Sequence, residues 1–173
     1  SRNIQMIFQD PFSSLNPKMT IKGILEDIYL IHNQYDPNQM QKELKSILSK
    51  LNLPYDSNFL NSYPDELSGG QLQRISIARA LLIKPQILIC DESLNMLDAS
   101  VKIEILYLLR KIQEDMSLSI IFITHDLGLA KRFCNRLLVM NNGEIIEEGY
   151  SNDVFEKPKN LITQNLLKSS LNI

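Results

Sequence analysis

From Ile87 to Cys90 the chain runs Ile-Leu-Ile-Cys, with apolar side chains at consecutive positions rather than alternate ones. A strand wetted on one face alternates in polarity. A short unbroken run is what a strand covered on both faces requires, and such strands belong to parallel sheets flanked by helices. Ser119-Ile120-Ile121-Phe122-Ile123-Thr124 repeats the pattern, and Ile4-Gln5-Met6-Ile7-Phe8 supplies a third strand. The chain therefore reads as an α/β fold built on a parallel sheet.

The long stretch between the first two strands is helical in pattern. Ile21, Ile24, Leu25 and Ile28 recur at helical intervals, which predicts a helix from Thr20, its N-cap, to about His32. Asp36-Pro37 is a second start signal, a cap followed by proline at the first helical position. Met40, Leu44, Ile47, Leu48 and Leu51 form that helix's apolar face, and Pro54 is expected to stop it. Farther on, Asp98 is expected to cap a helix whose buried positions are Val101, Ile105, Leu108, Ile112 and Met116. A short helix is expected from Asp126 to Phe133. Strands near Arg136–Met140 and Glu144–Glu147 should flank a turn at Asn141-Asn142-Gly143. The tail carries a helix around Thr163–Lys168. The resulting partition is a core of residues 1–12 and 85–157, a helical subdomain of 13–84, and a tail of 158–173, within what 173 residues can bury.

Composition narrows the function classes. A net charge of −2 offers no field that would draw the chain to nucleic acid. No run approaches the roughly 20 apolar residues that span a bilayer, and no N-terminal signal pattern is seen. The chain is expected to be cytosolic. Cys90 and Cys134 lack metal-ligand spacing, and the histidines, His32 and His125, do not cluster with them. Cys90 reads as a small buried filler.

Two groups of residues point to phosphate chemistry. In Leu67-Ser68-Gly69-Gly70-Gln71, Ser68 and Gln71 stand at capping-box spacing ahead of the apolar stripe Leu72, Ile75, Ala78 and Leu82. Capping alone does not explain two consecutive glycines in a first turn. Glycines there bare the free N–H groups and positive dipole end of the helix to an anion. On this reading Gly70→Asp should leave folding unchanged or improved while repelling the anion. The second group is the polar residues that end the apolar runs: Gln9 after Phe8, Asp91-Glu92 after Cys90, and His125 after Thr124. In open α/β sheets ligands bind beyond the carboxyl ends of the strands, so these side chains are expected to converge. Asp91 and Glu92 point apart in extended chain and can hold separate roles. Asp91 suits a carboxylate that holds Mg²⁺ beside nucleotide phosphates. Glu92 suits a base that polarises an attacking water, and His125 a group that binds the γ-phosphate and orients that water.

From Gln5 to Gly149 the sequence resembles the latter two-thirds of an ATP-binding cassette (ABC) ATPase, a P-loop NTPase with a RecA-like core and an inserted helical subdomain. The stretch from Phe8 to Thr20, and Gly143 to Gly149 with Val154, Phe155 and Pro158, are similar to the importers of oligopeptides, dipeptides and nickel. The resemblance implies that Gln9 is the Q-loop glutamine, which reaches Mg²⁺ and couples the site to the transporter. It makes Asp91 the Walker B aspartate, Glu92 the catalytic glutamate, His125 the switch histidine and Asp98 the end of the D-loop. Ser68, Gly69, Gly70 and Gln71 become the signature that caps the γ-phosphate of ATP held by a second ABC subunit, in a homo- or heterodimer. Implied partners are transmembrane permease subunits and, indirectly, an extracytoplasmic substrate-binding protein, with no nucleic acid. The implied location is the cytoplasmic face of the membrane.

The sequence departs from the family pattern in three places. No Gly-rich run ending in Gly-Lys-Ser/Thr occurs in the 173 residues. In the family that Walker A loop precedes the Q-loop, so it is expected before Ser1, and the chain is either a fragment or the product of a truncated gene. Leu94, Asn95 and Met96 stand where relatives carry small or polar D-loop residues. The tail has Asn160-Leu161-Ile162-Thr163 where peptide transporters show His-Pro-Tyr-Thr. The alternatives are a non-catalytic remnant and a non-transport ABC ATPase.

Overall fold

The computed structural model describes residues 2–10, 14–31 and 36–171. They form two compact units, residues 1–123 and 124–173. The expectations that reached His32 and the stretch 11–13 lie outside the described residues.

In the first unit, β1 (Ile4–Ile7), β2 (Ile87–Asp91) and β3 (Ser119–Ile123) make a parallel sheet in the order β1-β2-β3. The ladders pair Ile7 with Cys90 and Cys90 with Phe122, so β2 is central and the three strands finish together. The α/β class with a parallel sheet is as expected. Coverage on both faces is not. Leu88 and Cys90 are fully buried at 0% exposure, and Ile7 lies on their face. On the other face Ile4, Met6, Ile121 and Ile123 are 43%, 39%, 49% and 45% exposed. The face of Ile7, Leu88 and Cys90 is covered, and the continuous apolar runs leave the opposite face partly exposed.

Between β1 and β2 lie α1 (Ile21–Ile31), α2 (Pro37–Lys50), α3 (Ser57–Asn61), a 3-10 turn (Pro64–Glu66) and α4 (Gly69–Leu81). Asp36 caps α2 as expected, accepting from the N–H groups of Asn38 and Gln39. The end of α2 comes before Pro54. Asn52 takes a left-handed φ of 52°, and the Leu53 N–H reaches the Leu48 carbonyl at 2.9 Å while that of Asn52 reaches Ser49. This is the Schellman closure, which a short polar side chain tolerates. Ile21, Leu25, Leu48, Leu51, Leu72, Ile75 and Leu81 are fully buried and join α1, α2 and α4 in one core. A polar network crosses its edge: Tyr29 Oη and Gln39 Nε2 donate to the Glu43 carboxylate, which also takes Lys84.

After β2 comes α5 (Ala99–Met116). Its buried face runs through Ile105, Leu106, Leu109 and Ile112. The expected positions Val101, Leu108 and Met116 are half-buried instead, a stripe rotated by about one residue. Asp98 occupies the N-cap position, but its side chain makes no cap bond. That corrects its expected role as the cap of this helix.

The second unit holds α6 (Leu127–Phe133), β4 (Arg136–Asn141), β5 (Glu144–Tyr150), α7 (Ser151–Glu156) and α8 (Leu161–Leu171). β4 and β5 are antiparallel, with Asn141 paired to Glu144. Asn142 and Gly143 between them both have positive φ, 49° and 82°, as a two-residue hairpin turn demands. The tail helix is longer than expected. Its approach is fixed by Glu147, whose carboxylate accepts from the N–H groups of Lys159 and Asn160. No helix among the described residues is long and apolar enough to cross a membrane.

Candidate functional site

The sheet's carboxyl end places three of the chosen residues. Asp91 is the last residue of β2, the strand bonded on both sides, and is half-buried. Gln9 follows the end of β1 by two residues and is exposed. Glu92 continues the ladder by one bond, its N–H donating to the Ile123 carbonyl at 3.0 Å. Its backbone then turns into the left-handed region, with φ of 45°. A non-glycine residue there is uncommon and carries a local cost, and such residues gather at functional sites. This turn takes Glu92 out of the regular strand conformation that ends at Asp91. No sequence signal announces this left-handed turn.

From Glu92 the chain enters a tight loop to Asp98. The Asn95 N–H bonds the Glu92 carbonyl and that of Leu97 bonds Leu94. Ser93 and Leu94 are buried and pin the loop, while Met96 is 67% exposed. Of the residues that depart from the family's D-loop pattern, Leu94 is thus the anchor and Met96 is presented outward. Burial pushes the Cys90 thiol up to about 12 against a counteracting bond to Ser93. Cys90 is an inert core residue, as the sequence suggested.

The second group sits at the start of α4. Ser68 Oγ accepts from the Gln71 N–H at 3.3 Å, and the Gln71 side chain accepts from the Ser68 N–H at 3.0 Å. The capping box is therefore formed. It satisfies the N–H of Gln71; those of Gly69 and Gly70, at the first two helical positions, have no intrahelical acceptor. The glycines also have a second cause that sequence reasoning missed. A Cβ on Gly69 would stand 3.6 Å from Leu97, and one on Gly70 only 3.0 Å from Val101 Cγ1. One turn on, Arg74 pairs with Glu104 at 2.8 Å. Contacts at 69 with 97, 70 with 101 and 74 with 104 run in step, so α4 and α5 start side by side. Glycine permits that close approach as well as access for an anion. A side chain at position 70 requires Val101 to give by a few tenths of an ångström, so the stability of Gly70→Asp turns on that adjustment as well as on helix propensity and charge.

The loop from Glu92 to Asp98 thus leaves the sheet end at one side and approaches Gly69 through Leu97 at the other. His125 belongs to the second unit, where it is exposed and follows β3 by two residues. Beside it the Asp126 N–H donates to Thr124 Oγ1, and the Asp126 carboxylate caps α6 through Leu129.

This arrangement is an α/β architecture with a parallel sheet, acidic residues at its carboxyl end and a glycine-opened helix start. Residues 1–95 match the family model described as ABC transporter, and the chain belongs to that family. It is 42% identical over 168 residues to the oligopeptide transport ATP-binding protein OppF of Escherichia coli K12, covering 96% of this chain and 50% of that protein. It is 37% identical over 168 residues to the glutathione import ATP-binding protein GsiA of Pectobacterium atrosepticum, covering 97% of the chain and 27% of that protein. Among solved structures it is similar to cbiO1 of Clostridium perfringens, part of the ABC transporter complex cbiONQ. The TM-score there is 0.79 at 28% identity, over 91% of this chain and 61% of that one. The chain spans about half the length of the OppF relatives it matches.

Proposed function

We propose that this chain is the signature-bearing part of the ATP-hydrolysing subunit of an ABC importer of oligopeptides. A single observation carries the reading. The Asp91-Glu92 strand end runs by one short loop to Leu97, against the capped, glycine-opened start of α4, as a subunit needs that hydrolyses its own nucleotide and caps the γ-phosphate of its partner's. The relatives named for oligopeptide transport favour peptides as cargo, with glutathione-type peptides and nickel chelates as the nearby alternatives.

In this reading Asp91 holds Mg²⁺, directly or through water, with Gln9 completing the contact. One carboxylate at a strand end beside phosphate oxygens fits this ion, which keeps several waters and seldom has an all-protein cage. Bound Mg²⁺ would neutralise charge on the transferring phosphoryl group. Glu92, set apart by its turn, takes the proton of the attacking water, and His125 orients that water. The free N–H groups of Gly69 and Gly70, with Ser68 and Gln71, meet the γ-phosphate of ATP held by a second subunit. Asp98, which does not cap its own helix, is free to contact that subunit. The core of 1–12 and 85–157, the helical subdomain of 13–84 and the tail of 158–173 are the working parts of this scheme. The subunit works at the cytoplasmic face of the membrane with permease partners and, through them, an extracytoplasmic binding protein.

The test uses the subunit as its gene encodes it. Glu92→Gln should lower ATP hydrolysis by about 10²-fold or more, the scale for loss of a positioned base. ATP binding should persist and trap a dimer. A loss of ATP affinity as large as the loss of rate would remove Glu92 from the role of base. The 173 residues by themselves lack a Gly-Lys-Ser/Thr phosphate cradle. They should show no appreciable turnover and at most weak nucleotide binding by calorimetry.

A further inference from the structure

The start of α5 has no side-chain cap of its own. The Asp98 carboxylate makes no cap bond, and no acidic residue stands in the first turn to meet the helix dipole. A helix start of that kind relies on tertiary contacts to hold it in place. Three such contacts come from α4. Leu97 lies against Gly69, and Val101 against Gly70. Farther along, Arg74 Nη2 donates to the Glu104 carboxylate at 2.8 Å. Gly70 and Arg74 are four residues apart, and Val101 and Glu104 are three apart. Each pair therefore shares one helix face, and the contacts stack a turn apart.

The ion pair differs in kind from the two contacts ahead of it. An apolar side chain against a glycine sets how near two helices come but lets them slide along one another. A guanidinium bonded to a carboxylate is directional, so it also fixes position along the axis. The Arg74 side chain is only 12% exposed, and its Nε is buried with no hydrogen-bond partner among the described residues. Its charge is poorly solvated and depends on Glu104. Removing that carboxylate strands a mostly buried cation, which a pair in open water never does. The tie is therefore stronger than an ordinary surface ion pair, and it sits one turn behind both helix starts.

We propose that Arg74 and Glu104 are a positioning pair that sets the register of α4 against α5. The pair holds Ser68–Gln71 and the loop ending at Asp98 in one alignment, so that a second subunit engages both together. This rests on the functional reading above, in which both helix starts face that subunit. It adds two residues that act through the groups they align rather than by touching nucleotide.

The experiment measures, by light scattering, the ATP concentration that traps the dimer in a Glu92→Gln background, in the subunit as its gene encodes it. Glu104→Ala should raise that concentration by about 3- to 10-fold, the range of such couplings. Glu104→Gln keeps an acceptor without the charge and should fall between. ATP binding to the separate subunit should stay as in the parent. Arg74→Met should act like Glu104→Ala, and the two together should do no more than Arg74→Met alone, because one interaction is lost once. The Glu104 side chain is half exposed, so its variants cover the case in which Arg74→Met does not fold. Without nucleotide, hydrogen exchange on the same subunit should be faster at Leu97–Lys102 in Glu104→Ala, with α1 and α2 unchanged. A lowered melting temperature with the parent's ATP dependence would make the pair a packing contact and overturn the proposal. Full additivity of the two substitutions, or unchanged exchange at Leu97–Lys102, would also overturn it. A parent subunit that forms no ATP-dependent dimer would instead overturn the functional reading, with the exchange result still deciding whether the pair aligns the two helix starts.

Discussion

The helical segment and the sheet treat their apolar residues in opposite ways. In α1, α2 and α4 the apolar positions close on one another, and Ile21, Leu25, Leu48, Leu72 and Ile75 are at 0% exposure. In the sheet burial alternates along each strand, and the face bearing Ile4, Met6, Ile121 and Ile123 is open. The helical segment is a self-contained core. The sheet is half of a core. A region can be satisfied by its own neighbours or depend on a covering layer, and local sequence pattern looks equally apolar in both.

The largest expected effect tests this difference directly. Leu48→Ala should destabilise the chain by about 3 kcal/mol, because a fully enclosed leucine leaves a cavity that its neighbours only partly fill. Ile121→Ala, on the bare face, should cost less than about 1 kcal/mol, since it removes little buried area. Urea denaturation of the two variants measures both. Equal losses would mean that the open face is covered in solution. Binding of a hydrophobic dye provides the complement: it should fall for Ile121→Thr and stay unchanged for a polar substitution elsewhere on the surface.

A smaller effect concerns the boundary between the two regions, where α4 meets α5. Gly70→Ala gains helix propensity but pushes Val101, which stands 3.0 Å from the added methyl group. The single substitution should therefore lose about 1 kcal/mol rather than gain it. Val101→Ala should be mildly destabilising by itself and should relieve Gly70→Ala. A coupling of about 1 kcal/mol between them is expected from a double-mutant cycle. Additive behaviour would return the glycines to a purely anion-binding role.

Backbone strain separates the two regions by a further, smaller step. Ser117, at the end of α5, and Glu92, at the sheet end, both hold left-handed φ, 51° and 45°. Replacing either with glycine should stabilise the fold by about 0.5–1 kcal/mol, since glycine adopts this conformation without a Cβ penalty. Ser117→Gly should be functionally silent. Glu92→Gly should give the same stability gain and abolish hydrolysis, the combination expected of strain kept for a functional purpose.

The parts of this molecule that were legible in the sequence are those decided by near neighbours. The Ser68–Gln71 box, the Asp36-Pro37 start and the Asn142-Gly143 turn follow from residues no more than three apart, and all formed. The three strands and their polar ends were legible for the same reason. What was not legible depends on partners distant in sequence. Val101 against Gly70, Arg74 on Glu104 and the bare side of the sheet all arise from tertiary placement. The shift of the α5 stripe from Leu108 to Leu106 and Leu109 is of that kind too, because several rotations of an apolar helix satisfy periodicity equally. The turn at Glu92 was hidden by residue type, since glutamate gives no sign of a left-handed backbone.

The smallest expected effect is on the acid side, and it separates the regions by their polar ties. Glu43 loses some hydration, yet bonds from Lys84, Gln39 and Tyr29 hold its carboxyl below the ordinary value. Tyr29, desolvated and donating to that carboxylate, has its phenol raised above its usual range. A carboxyl whose pKa is lower folded than unfolded contributes stability above the unfolded value, about 4.3 for glutamate. That contribution is fully present at neutral pH and is lost as pH falls from about 4.3 through the depressed folded value. Protonation of Glu43 removes the acceptor that joins α1, α2 and Lys84. Amide exchange followed from pH 6 to pH 3, corrected for intrinsic rates, should therefore show α1 and α2 loosening relative to β1–β3. Glu43→Gln should flatten that dependence while lowering stability slightly at neutrality. Loss of protection in the sheet first would mean that the open face, not the Glu43 network, limits the molecule in acid.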